Sequence, residues 1–443
     1  MQQHWLYCST MKIIVRIAVI YLALMIGAGY GVLVGKFRYP PYETLSTLAK
    51  DWQFIWSDLT GGSARITLSN DSGTIVTADN FRDFLRPDTD IAWRRDPGFA
   101  PDGIGGLLVQ GTFEINGVLG HHALLLDMDG RLLHTWALDE RAVVGEGVRD
   151  FTHTFPHGLE YFDDGSIVYA FDGGVSLTRK DYCGTTVWAI PGTYHHAVNR
   201  LNADQVMVPF THQTDPDPDK EQVRIINVKD GSIAGSFTLG DVMRANPDID
   251  PLGIRQMEAE GGAGWTPDPF HVNDADPLTA EMAPYYPQFA IGDTLVSVRS
   301  LNLVMVVDPD TARIKWFNQG NVRRQHDPDW DADGISVFDN NMHRGVSHIR
   351  LFDPVNSTAT SLFDGARAGF YTWIQGKHQR LADGTILISS PQQGRAFAVD
   401  ASGKVGLEML ALSESEFGRR YVISKAEFIP TAVIEKWSAQ SCN

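Results

Sequence analysis

The stretch His157–Phe171, HGLEYFDDGSIVYAF, decides the fold. It reads as a histidine, an apolar strand, an Asp-Gly turn and a second apolar strand, and it returns as HAVNRLNADQVMVPF (196–210), HDPDWDADGISVFDN (326–340) and HQRLADGTILISS (378–390). Short alternating runs bounded by Asp/Asn-Gly signals are strands joined by tight turns. A complementary half-repeat reads as aspartate, turn, then a strand closing on a large apolar residue: LLLDMDGRLLHTW (124–136), LTRKDYCGTTVW (177–188), IINVKDGSIAGSF (225–237), MVVDPDTARIKWF (305–317) and FAVDASGKVGLEM (397–409). Joined, the two halves make a four-stranded unit.

The leading histidines stand at positions 157, 196, 271, 326 and 378. Four strands recurring at about 40 to 55 residues, with one longer step, predict a β-propeller. The long step holds insertions such as DPDPDKE (215–221) and EAEGGAGW (258–265). Five visible repeats and a disguised one give an all-β, six-bladed propeller, with five blades as the alternative. In a propeller the innermost strand of each blade lines the central channel, so a residue recurring at its start recurs around one axis. His157, His196, His271, His326 and His378 are therefore expected to converge. In GTYHHAVNRL (192–201), His195 is expected to point away from the axis, because strand neighbours face opposite sides. His121, His122, His134, His153, His212, His343 and His348 sit in less regular settings and are read as surface or supporting groups.

The chain of 443 residues carries 37 Lys and Arg against 54 Asp and Glu, a formal charge of -17. That balance repels polyanions at long range, so no nucleic-acid partner is expected. From Ile13 to Val34 only Arg16 is charged, and Ile17 to Gly35 is long enough to cross a hydrocarbon core of roughly 30 Å. Residues 1–37 are read as an uncleaved membrane anchor, with a cleaved secretory signal as the alternative and Met11 as a second candidate start; 38–103 as a linker and small cap; and 104–443 as the propeller. The propeller would lie on the extracytoplasmic side, tethered to the membrane, with a membrane-protein partner or a homo-oligomer possible. In such an oxidising compartment an isolated thiol pair tends to join, so Cys183 and Cys442 are candidates for a disulfide.

More specific chemistry clusters around the third and fourth histidines. PFHVNDADPL (269–278) sets Asn273 and Asp274 beside His271, and LVSVRSLNLVMVVDPDT (295–311) inserts Arg299 into an apolar strand. A guanidinium there needs a carboxylate such as Asp274 or Asp276, or an oxyanion ligand that matches its planar fork. His326 follows the basic pair Arg323-Arg324, which either helps hold an anion or is solvated. The run Asp329-x-Asp331-x-Asp333-Gly334 resembles half a calcium loop, but its twelfth position is Asn340 rather than Glu, so it is read as a turn.

The ensemble GTYHHAVNRL, HVNDADPL, SVRSLNLVMVVDPDT, RRQHDPDW and GKHQRLADGTILIS resembles the PAPS-independent arylsulfotransferases, exported bacterial propeller enzymes. The resemblance covers most of residues 105–410. It implies transfer of a sulfuryl group from an aryl sulfate to a phenol through a sulfohistidine, without a cofactor or metal. It places the nucleophile at His326, supporting histidines at His196 and His271, and the sulfate-binding arginine at Arg299. His157, His378 and Asn273 would then orient donor or acceptor. Two other readings stay open from the residues: a histidine-ligated iron or copper site with redox chemistry, and a membrane-tethered docking or structural subunit.

Overall fold

In the computed structural model the described residues are Tyr21, Met25, Gly27, Tyr30, 66–67, 91–115, 118–139, 155–172, 176–211, 217–249, 270–412 and 419–442. The chain divides into units Met1–Ser63 and Ala64–Asn443. In the first, Tyr21, Met25, Gly27 and Tyr30 are helical; the rest of the expected anchor, and most of the expected cap, lie outside the described residues. No helix among the described residues is long and apolar enough to cross a membrane.

The second unit is a six-bladed propeller. Antiparallel four-stranded sheets run from the channel outward as Phe155–Tyr161, Ile167–Asp172, Ser176–Lys180 and Thr186–Pro191 in the second blade; the third spans 199–238, the fourth 272–319, the fifth 326–364 and the sixth 377–411. The first blade is the disguised one. Its outer three strands are Ile104–Ile115, Val118–Asp127 and Leu132–Ala137, while its innermost strand, Ile423–Pro430, comes from the C-terminal end of the fold. One sheet thus joins both ends of the ring. Ile91–Arg95 adds a fifth strand to the outer edge of the sixth blade, so the propeller begins inside the region expected as cap, before residue 104. The α-helices of this unit, among described residues, are Leu239–Ala245 and Thr431–Ser438.

The aspartate-turn signal has a simple cause: in each such turn the carboxylate accepts from backbone N–H groups two to four residues on. Asp127 takes those of Asp129 and Arg131, and Asp400 those of Ser402 and Lys404. Alternating apolar residues then fill the spaces between blades. Each of the six junctions holds its own buried cluster: Leu107, Leu124, Leu387 and Met409 join the first blade to the sixth, and Leu295, Val306, Val337 and Phe352 join the fourth to the fifth. A fully buried side chain of this size contributes about 1.5–3 kcal/mol, so the ring is held by six comparable interfaces rather than one core.

The C-terminal helix strengthens the closure. Trp437 is fully buried, its indole donating to Phe162 O, and Lys436 reaches Asp163. Just beyond, Cys442 is disulfide-bonded to Cys183 in the outer turn of the second blade. The bridge closes a separation of 259 residues. Replacing both cysteines by serine should cost about 2–5 kcal/mol of stability, read as a lower urea midpoint; an unchanged midpoint would show that the strand and Trp437 suffice.

Candidate functional site

The first strands of successive blades touch one another around the channel, and four of the five repeating histidines meet at one end of it. The ring centroids of His157 and His196 are 4.3 Å apart, those of His196 and His271 4.7 Å, and those of His326 to His196 and His157 6.0 and 6.3 Å. His157, His196 and His326 are buried, while His271 is partly exposed. Close approach explains His157-Gly158: a Cβ at Gly158 would stand 2.5 Å from the carbonyl oxygen of His196 in the next blade.

His326 opens the innermost strand of the fifth blade, and its Nδ1 lies 2.7 Å from Asn340 Oδ1. The Asn340 amide is oriented by its other end, whose Nδ2 donates to Thr372 O (2.9 Å) and Gln375 O (2.6 Å). An amide oxygen only accepts, so this network assigns the imidazole proton to Nδ1 and leaves Nε2 with a lone pair. Burial lowers the pKa of His326 well below the ordinary 6.5, and Arg299 and His157 lower it further. His196 is driven down in the same way by burial and by the imidazoles around it. The ring of His326 is therefore neutral and oriented, with a lone pair on Nε2 that chemistry could use.

Several placements differ from expectation. Arg299 is not inside a strand: it follows Thr294–Val298 and opens a short 3-10 turn, Arg299–Leu301, closed by the Asn302 N–H donating to Arg299 O, while its own N–H donates across to His271 O. Asp274 accepts from Lys377 (2.6 Å) and Asn199 (2.6 Å), which are its described polar partners. Asn273 turns toward the fifth blade, donating to Gln325 O immediately before His326; its Oδ1 is buried without a hydrogen-bond partner. Arg324 reaches Ser300 Oγ, and Arg323 the carbonyl of Met342. The strand His326–Asp331 runs into a turn at Asp333, and Arg380 binds Asp331 and Asp333 across blades.

His378 does not complete the ring. Its side chain is fully buried, with Nδ1 2.9 Å from Asp327 Oδ2 and Nε2 2.8 Å from Ser336 Oγ. The residue before it, Lys377, takes the central place: its ammonium lies 2.6 Å from both Asp274 and Asp327. Burial opposes charge on Asp327, but Lys377 and His378 outweigh it and hold the carboxyl well below its usual range. This layer crosses the channel beyond the histidines. On its far side opens a cavity of about 300 Å³, lined by Asp276, Asp329, Arg200, Lys425 and Glu427 among others and by none of the four clustered histidines.

As for metals, Asp327, Asp329 and His378 are, among described residues, the group that brings three ligating atoms within 4.8 Å. They fit an ion poorly, since both nitrogens of His378 and both oxygens of Asp327 are already engaged. Asn340 and Lys377 carry no periodic signal and escaped the sequence reading; Asn340 was weighed there only as a missing calcium ligand. A direct check is available for the imidazole: 15N NMR should find His326 as the neutral Nδ1–H tautomer from pH 8 to pH 5, and Asn340→Leu should abolish the tautomer preference. Protonation near the ordinary 6.5 would refute the assignment.

No curated protein matches the chain. Among solved structures, a protein of unknown function from Bacteroides caccae is 12% identical, with a TM-score of 0.46 over 73% of this chain and 98% of that one. The Pan2 WD40 domain of Neurospora crassa is 11% identical, with a TM-score of 0.39 over 72% and 83%, and the Cps50 (Swd1) β-propeller domain of Myceliophteria thermophila is 11% identical, with 0.39 over 81% and 98%. These likenesses are too distant to carry an argument. The family model for arylsulfotransferase (ASST), in contrast, matches residues 158–411, more than half of the 443 residues and all five histidine-led blades except His157 itself, so the chain belongs to the arylsulfotransferase (ASST) family.

Proposed function

We propose that this protein transfers a sulfuryl group from an aryl sulfate to a phenolic acceptor through a sulfohistidine on His326. The observation that carries the reading is the Asn340 contact, which leaves His326 Nε2 bare and nucleophilic beside three further imidazoles. In the first half-reaction Nε2 attacks sulfur; the N–S bond forms, the S–O bond breaks, and the aryl oxygen leaves with its electron pair and takes a proton. In the second, the acceptor phenol gives up its proton and attacks sulfur, returning the electron pair to Nε2. Arg299 and His271 serve the sulfonyl oxygens, His196 supplies and recovers the proton, and His157 and Asn273 orient the substrates.

We further place the propeller outside the cytoplasm, tethered by residues 1–37. The disulfide suits an oxidising compartment, and the apolar run from Ile17 to Gly35 suits a span.

The test is a chelator-treated assay with 4-nitrophenyl sulfate and phenol. Release of nitrophenolate by the wild type should fall about a thousandfold or more in His326→Ala and about 100-fold in Arg299→Met, and a donor-only incubation should leave one sulfuryl group on the peptide containing His326. Since the His326 pKa lies well below 6.5, its deprotonated form persists on acidification, and kcat/KM should not decline through 6.5 on its account. Activity surviving in His326→Ala would overturn the assignment. Inactive wild type with a stoichiometric bound metal would favour redox chemistry instead.

A further inference from the structure

On an extended strand His195 and His196 would face opposite sides. His196 instead has a left-handed backbone, φ 63°, which costs a non-glycine residue about 1–2 kcal/mol. The turn brings both imidazoles to one side, with His195 Nδ1 2.6 Å from His196 Nδ1. At the other edge of the same ring, His196 Nε2 lies 3.1 Å from His271 Nε2. His271 is also left-handed, φ 56°. Three imidazoles from two blades thus form a continuous hydrogen-bonded run, buried at His195, which is 3% exposed, and partly exposed at His271.

We propose that this run of imidazoles is the proton carrier of the transfer reaction, with His195 as a positioning residue that accepts from His196 so that His196 can carry the added proton. The proposal rests on the sulfuryl-transfer reading above. A neutral imidazole donates at one nitrogen only; an imidazolium donates at both. The two contacts fit His196 as the central imidazolium, donating from Nδ1 to His195 and from Nε2 to His271. Burial and the surrounding rings of His157, His271, His195 and His326 disfavour that charge, and an anionic sulfate ester supplies the counter-charge that brings the proton in.

The transfer balances. When the S–O bond breaks, His271, which faces the oxygens of the ester, hands on the proton that His196 supplies: the aryl oxygen takes the proton of the outer nitrogen of His271, His271 Nε2 takes that of His196 Nε2, and the run is left neutral. In the second half-reaction the acceptor's O–H proton returns by the same path as its oxygen displaces His326 Nε2 from sulfur. His195 touches no reacting atom; without it, the Nδ1–H of the imidazolium would lack its acceptor in a buried setting, and the charged state would be disfavoured.

The experiment compares the wild type with His195→Leu and His195→Asn, whose amide oxygen can replace the accepting nitrogen, in the single-turnover release of phenol from phenyl sulfate and of nitrophenol from 4-nitrophenyl sulfate without acceptor, so that only the first half-reaction is read. Phenolate needs a proton to leave well and nitrophenolate does not, so His195→Leu should lose about 10–100-fold in the single-turnover rate on phenyl sulfate, change less than about threefold on 4-nitrophenyl sulfate, and be largely rescued by asparagine. Equal losses on both esters, or no loss on either, would overturn the relay while leaving His326 chemistry intact. In the 15N-histidine-labelled wild type, through-hydrogen-bond N–N couplings should join His195 to His196 and His196 to His271; their absence would also overturn it. A wild type inactive on both esters, with the couplings present, would sink the transfer reading and the relay's catalytic role together.

Discussion

Everything at the channel is organised by one buried ammonium. Lys377 lies between Asp274 and Asp327, and each of those carboxylates is held by a second partner, Asn199 or His378. The four innermost strands of the third to sixth blades are thereby tied across the axis by side chains, in addition to the apolar contacts behind them. Burial alone would disfavour charge on Lys377, yet the two carboxylates keep it strongly protonated. Such a cluster is costly to assemble and costlier to break, since removing one partner strands a buried charge worth about 3–5 kcal/mol. Its function in the fold is location: it crosses the channel at one level, with imidazoles on one side and, on the other, a cavity lined by charged side chains of both signs.

The second constraint is backbone shape. His196, His271, Asp327 and Gln375 have φ of 63°, 56°, 51° and 60°, so a left-handed residue recurs where the third to sixth blades meet the channel. None is a glycine, so the conformation is held against its intrinsic cost by the surroundings. Its effect is to suspend the alternation of the strand. In the fifth blade a register shift between His326 and Pro328 accompanies it, and the adjacent side chains of His326 and Asp327 both turn inward, one to the imidazoles and one to Lys377. The same device brings His195 onto His196. Strain and chemistry therefore coincide residue by residue.

The propeller was legible because its signals are local and repeated: the Asp turns, the period-two strands and the leading histidine need no knowledge of the rest of the chain. Closure was not. Ile423–Pro430 carries no histidine and no Asp-Gly turn, and only the completed ring makes it the innermost strand of the first blade. At the site, repetition marked the right phase, but phase is coarser than one residue. In the sixth blade the lysine, not the histidine, takes the axial position, and His378 turns to Asp327 and Ser336. Asn340 was invisible because its importance lies in which way an amide points, which is decided by two carbonyls more than thirty residues away in sequence.

The acidic run around His326, Gln325-His326-Asp327-Pro328-Asp329, looks unsuited to an anionic substrate until its charges are placed. Asp327 is neutralised by Lys377 and His378. Burial and the neighbouring carboxylates push Asp329 toward its protonated form, and Asp276 behaves likewise. Arg299 meanwhile acts on the His326 side, where its positive charge depresses the imidazole pKa. In the transfer proposed above, a guanidinium that keeps His326 unprotonated would also attract the sulfonate under attack, so a single residue would serve both requirements. Exchanging it for a neutral side chain would relax both at once: the imidazole becomes easier to protonate just as the anion loses its counter-charge.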